Sequence, residues 1–128
     1  MQITHLNPPE LHANPAFSQA VVATQVSTIL SIGGQDGVTS DGKVVEGGIG
    51  PQTKQALENL LAVLKASGAT QENVIKMNVY VVKNNDMRAV FAAAQAVWGA
   101  HPTAMTVVIV DELANPAFLI EVDALAVK

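Results

Sequence analysis

Apolar positions in this chain recur with two different periods, and the places where the period changes mark its elements. Residues 1–16 are rich in Pro and Asn and predict an extended lead-in segment. Val21 to Gln25 and Thr28 to Gly33 are β-branched and apolar, which predicts two strands. Between Asp36 and Gly50 the glycines at 37, 42, 47, 48 and 50 stand among polar residues, a loop composition. Pro51 then suits the first turn of a helix, where a missing N–H leaves no bond unmade. Leu57, Leu60, Leu61 and Leu64 follow the i, i+3, i+4, i+7 spacing of one buried stripe, and Gly68 is placed as a left-handed cap.

Downstream, Ile75, Met77, Val79 and Val81 alternate with Lys76, Asn78 and Tyr80, the period of a strand. Asn84 to Asp86 cap a second helix running to about Trp98, with Val90, Phe91, Ala94, Val97 and Trp98 as its apolar face. Thr106 to Val110 is continuously apolar, as expected of a strand covered on both faces, and Phe118 to Val127 alternates again. The expected order is β-β-α-β-α-β-β, an α+β domain with both helices on one face of a mixed sheet, because right-handed crossovers send them the same way. The other face is then left open for a partner.

Composition sharpens this picture. The 128 residues make one domain, residues 1–128, long enough for a single core. Only 14% of them are charged, against roughly 25% in an ordinary soluble domain, which predicts that outer surface is buried against copies of the same chain. Apolar runs are strand-sized and far below the roughly 20 residues of a membrane helix, so no membrane partner is expected. With a net charge of −4 and seven scattered basic residues, nucleic-acid binding is not expected. Cysteine is absent, which excludes disulfides, a thiol nucleophile and thiolate metal ligands. The first residues lack the charged-then-apolar pattern of a signal peptide, so a cytoplasmic location is the expectation.

Candidate chemistry is sparse. Glu121 and Asp123 stand two apart on a strand, so their side chains share a face about 7 Å apart and could orient water or act as acid and base. Two solvated or interface carboxylates would have the same spacing. The glycine-rich loop fits neither a phosphate-binding loop nor a dinucleotide fingerprint. His5, His12 and His101 have no metal-ligand spacing, so no metal is expected. Ser18 has no His and acid close to it in sequence, which argues against a hydrolase triad. Phe17 could stack on a ligand or pack in the core.

Several runs in order carry a family resemblance: Phe17-Ser18-Gln19-Ala20-Val21, Gly33-Gly34-Gln35, Gln52-Thr53 with Gln55-Ala56-Leu57 and Asn59-Leu60, Val74 to Val81, and Leu119 to Ala126. Together they resemble the YjgF/Rid (reactive intermediate deaminase, endoribonuclease L-PSP) family from about residue 7 onward. That resemblance implies a chorismate-mutase-like subunit, a homotrimer around a central barrel, and small-molecule clefts at the subunit interfaces. It also implies cofactor-independent hydrolysis of enamines and imines to carbonyl compounds and ammonia. In the family pattern the terminal-strand Glu, here Glu121, positions water, backbone groups near Gly34 and Gln35 line the pocket, and an Arg after the Pro before the fourth strand holds the substrate carboxylate.

Here the pattern breaks. Thr103, Ala104, Met105 and Thr106 follow Pro102, and Arg88, in the second helix, is the only arginine. A charged hydrogen bond is worth about 1.5–3 kcal/mol, so its loss weakens carboxylate binding by roughly tenfold or more. The family's Asn of the second helix falls on Phe91, and Met105 and Thr106 are expected to line a more apolar pocket with Phe17. Two functions follow: an imine hydrolase with altered substrate choice, or a trimer that binds small molecules or stabilises a pathway without chemistry. Endoribonuclease activity, attached to some relatives, is disfavoured by the acidic charge and the absent Arg.

Overall fold

The computed structural model describes all 128 residues. Its elements are β1 (Gln2–Leu6), β2 (Ala20–Thr24), β3 (Ile29–Asp36), α1 (Ile49–Ala66), β4 (Val74–Val82), α2 (Met87–Val97), β5 (Ala104–Val110) and β6 (Ile120–Val127). The main sheet runs β3-β6-β4-β5, with β4 and β5 parallel and the other pairs antiparallel. Both helices return the chain between parallel strands, so the expected α+β layering with a mixed sheet holds. The chain's last strand lies in the interior of the sheet, between β3 and β4. Its alternate residues Ile120, Val122, Ala124 and Ala126 are buried toward the helices, as the pleat requires.

Helix α1 forms where the leucine spacing puts it and starts two residues early, at Ile49. Ala56, Leu57, Leu60 and Leu64 are buried against the sheet, while Leu61 is only partly covered. At its end Ala69 N–H donates to the Leu64 carbonyl and Gly68 N–H to that of Lys65, a Schellman closure that needs the positive φ of 71° at Gly68. The carboxylate of Asp86 accepts from Arg88 N–H at 2.9 Å and caps α2.

Three expectations are corrected. The lead-in segment holds a strand, β1, which pairs with β2 as a separate two-stranded sheet. In β4 a register shift between Val74 and Lys76 buries Val74 in place of Ile75. Within the subunit β5 is not covered on both faces. It is the sheet's edge, and Val107, Val108 and Ile109 are 42, 39 and 56% exposed. No helix is long and apolar enough to cross a membrane.

Candidate active site

Strand alternation divides the candidate residues between the two faces of the sheet. On the helix side, a groove of about 630 Å³ opens between the segment before β2, helix α2 and strand β5. Phe17, Phe91 and Met105 line it, with Met77, Trp98 and Val107. Phe91 is 60% exposed and stands at the groove, not on the buried face of α2 as its spacing suggested. No carboxylate lines this groove. Its one titratable side chain, His101, is 2.6 Å from Glu72 Oε1 through Nδ1.

On the open face, the registers of β5, β4, β6 and β3 set side chains in rows. Val108, Tyr80, Glu121 and Asp36 form one row, and Thr106, Asn78 and Asp123 the next. Asn78 Nδ2 donates to Asp123 Oδ1 at 2.8 Å, and Lys76 Nζ to Thr106 Oγ1 at 2.7 Å. Met105 and Thr106 are chain neighbours and therefore point to opposite faces, so only Met105 reaches the groove. Gln35 sits opposite Val122, on the helix side, and its amide donates to the Gly33 carbonyl at 3.1 Å.

Glu121 is the best-defined acidic group of the open face. The pairing of β3 with β6 shifts between Ile32 and Gln35, and this irregularity carries Gly33 and Gly34. A Cβ on Gly34 would fall 2.6 Å from both Cδ and Oε2 of Glu121, so the carboxylate lies against bare backbone. Asp36 stands directly opposite Glu121 in the ladder, and its Oδ1 is buried without a partner. The glycine-rich composition predicts a loop from Asp36, yet β3 runs through it. On the far side of Glu121, the Asp123 carboxylate and then burial hold the Tyr80 phenol above its ordinary value, with Glu121 adding its charge.

Burial, then the hydrogen bond and negative charge of Glu121, push the Asp36 carboxyl from 3.8 up to about 7. The folded chain thus binds this proton more tightly than the unfolded chain. The resulting stability is fully present below the unfolded value of 3.8 and is lost as pH rises through about 7. Thermal melts are expected to show a lower Tm in mild alkali than in mild acid, and Asp36→Asn should shrink the difference.

The structure also makes one pairing that spacing concealed. His5 Nδ1 lies 2.7 Å from Ser18 Oγ, joining β1 to the segment before β2. Ser18 is 3% exposed and its N–H donates to the Thr103 carbonyl, and no carboxylate hydrogen-bonds the imidazole. The pair is a structural tie.

Comparison with known proteins finds similar chains along almost the whole length. The family model described as endoribonuclease L-PSP matches residues 8–128. A RutC family protein of Pyrococcus horikoshii is 35% identical over 113 residues, covering 88% of this chain and 86% of the relative. The 2-iminobutanoate/2-iminopropanoate deaminase of Mus musculus is 43% identical over 75 residues, 58% of this chain and 53% of that one. Among solved structures, the Rid family protein YyfB from Yersinia pestis superposes with a TM-score of 0.87 at 34% identity, over 100% of both chains. With its two helices on a mixed sheet and this match along almost its whole length, the chain belongs to the Rid/YjgF, or endoribonuclease L-PSP, family.

Proposed function

We propose that this protein hydrolyses a small imine or enamine to a carbonyl compound and ammonia, without a cofactor, and that Glu121 positions the attacking water. The observation that carries this reading is the Glu121 carboxylate laid on Gly34 beside Asp36, in a chain similar to imine deaminases. Substrate choice is proposed to depart from carboxylate-bearing imines. Ala104 and Thr106 give β5 no guanidinium on the open face, and the Lys76 ammonium bonded to Thr106 is a point charge without a bidentate fork. Arg88 lies on α2 beside Asp86, with its side chain 92% exposed.

The complete site is placed between copies. Within one subunit the sheet separates Glu121 and Gly34 from the groove of Phe17, Phe91 and Met105, so only a second copy can bring both sets to one cleft. The exposed apolar edge of β5 supports such an assembly, which we take to be a homotrimer. A stable monomer in light scattering would defeat it.

The direct test offers 2-iminopropanoate and a carboxylate-free imine in parallel, with Glu121→Gln as control. Hydrolysis of the carboxylate-free imine alone, lost in the variant, is the expected result. Hydrolysis of 2-iminopropanoate at comparable efficiency would overturn the altered substrate choice and keep the chemistry. Silence on both would favour a non-catalytic binder, for which the apolar groove without a carboxylate is the supporting feature.

A further inference from the structure

Of the groups that the hydrolytic reading leaves unused, Asp36 stands out. It faces Glu121 across the β3–β6 ladder, beside the bare backbone of Gly34, and keeps Oδ1 buried with no partner. Two carboxyl groups bond to each other only when one of them carries a proton, because a carboxylate has acceptors alone. We propose that Asp36 is a positioning residue for this site: protonated, it donates a hydrogen bond to the Glu121 carboxylate and holds it over Gly34, ready to take a proton from water. The proposal rests on the hydrolytic reading of Glu121.

The surroundings favour this assignment of the proton. Asp36 forms no ion pair, so no cation stabilises its charge. The groups facing it are the Glu121 carboxylate from β6, then the Tyr80 phenol from β4 and the Asp123 carboxylate beyond. From α1 comes only the neutral Asn59 amide, which donates to the Asp36 main-chain carbonyl at 3.1 Å. Burial and the neighbouring negative charge both oppose ionisation of Asp36, in agreement with its value of about 7. Above that pH the donor disappears and two carboxylates repel each other where one had been held. The site therefore loses its alignment in alkali.

Substitution can separate proton from shape. An Asn side chain at 36 presents a permanent N–H donor to Glu121 and cannot titrate, whereas Ala offers no donor. The measurement is kcat/KM for imine hydrolysis by the full chain and by Asp36→Asn and Asp36→Ala, from about pH 5 to 9, since this ratio reports groups of the free enzyme. The natural protein is expected to lose activity about tenfold per pH unit above about 7. Asp36→Asn should keep activity in acid and lose the alkaline decline. Asp36→Ala should fall tenfold or more in acid and show no further decline in alkali, where the natural protein has lost its donor too.

An alkaline decline retained in Asp36→Asn, or Asp36→Ala matching the natural protein in acid, would overturn the proposal and leave the hydrolytic reading standing. Natural protein inactive on every imine defeats that reading itself. Carboxyl ¹³C NMR then decides the pairing alone: a resonance titrating near neutrality, absent from Asp36→Asn and felt at Glu121, supports it, and its absence overturns it.

Discussion

Gly34→Ala is expected to lower imine hydrolysis at least about a hundredfold while the protein stays folded, because a catalytic group misplaced by about 1 Å loses that much. The new methyl would lie 2.6 Å from Cδ and Oε2 of Glu121. Those atoms are the far end of a flexible side chain, so the clash is relieved by swinging the carboxylate away and not by opening the sheet. The backbone imposes no further strain, since Gly34 has no positive φ. Gly37 gives the contrast. Its added Cβ would meet the main-chain Cα of Gln52 at 2.7 Å, where nothing swings aside. Gly37→Ala should therefore destabilise by about 1–3 kcal/mol, the usual penalty of overpacking. Thermal melts and rates on the two variants give the decision: a stable, inactive Gly34→Ala supports the placement of Glu121, and a fully active one refutes it.

The same contrast shows what local pattern could and could not reveal. Both helices were legible because their signals are local: leucine spacing and Gly68 for α1, the Asp86 cap for α2. Strand β1 was not, since Gln2–Leu6 lies mostly exposed and has no buried alternation to betray it. It becomes a strand by pairing with β2. The run Val107 to Ile109 was correctly read as a strand, but hydrophobicity alone cannot distinguish a core strand from an edge awaiting a partner.

For the site, Glu121 and Gly34 were found through motif resemblance, and the structure puts them in contact. Phe17, Phe91 and Met105 also converge, on the opposite side of the sheet. Asp36 escaped notice because a single Asp after a Gly-Gly-Gln turn looks like loop polarity. Its importance comes from facing Glu121 across 85 residues of sequence, a register that hydrophobic periodicity does not encode. A polar residue continuing an apolar strand past a glycine pair was the one available hint.

Gln52→Leu is expected to be among the most destabilising single substitutions, at about 2–4 kcal/mol, since an orphaned buried backbone group costs about 1–3 kcal/mol. Gln52 is 4% exposed in the first turns of α1, and its amide serves the segment entering β6 twice. Its Nε2 donates to the Ala117 carbonyl at 3.0 Å, and its Oε1 accepts from Leu119 N–H at 2.9 Å. Leucine fills similar space but satisfies neither group. Because Leu119 lies just before Ile120 and Glu121, slack at this tie also reaches the carboxylate, so hydrolysis should fall together with stability. Thr53→Val is the control. Thr53 is as deeply buried, but its hydroxyl serves only the Ile49 carbonyl within the same helix, at 2.7 Å. Losing that bond should lower stability by about 1 kcal/mol. Urea unfolding at equal m-values separates the two outcomes. If Gln52→Leu proved no more harmful than Thr53→Val, the side-chain tie would not be what anchors β6 to α1, and the positioning of Glu121 would have to come from the β3 and β4 ladders alone.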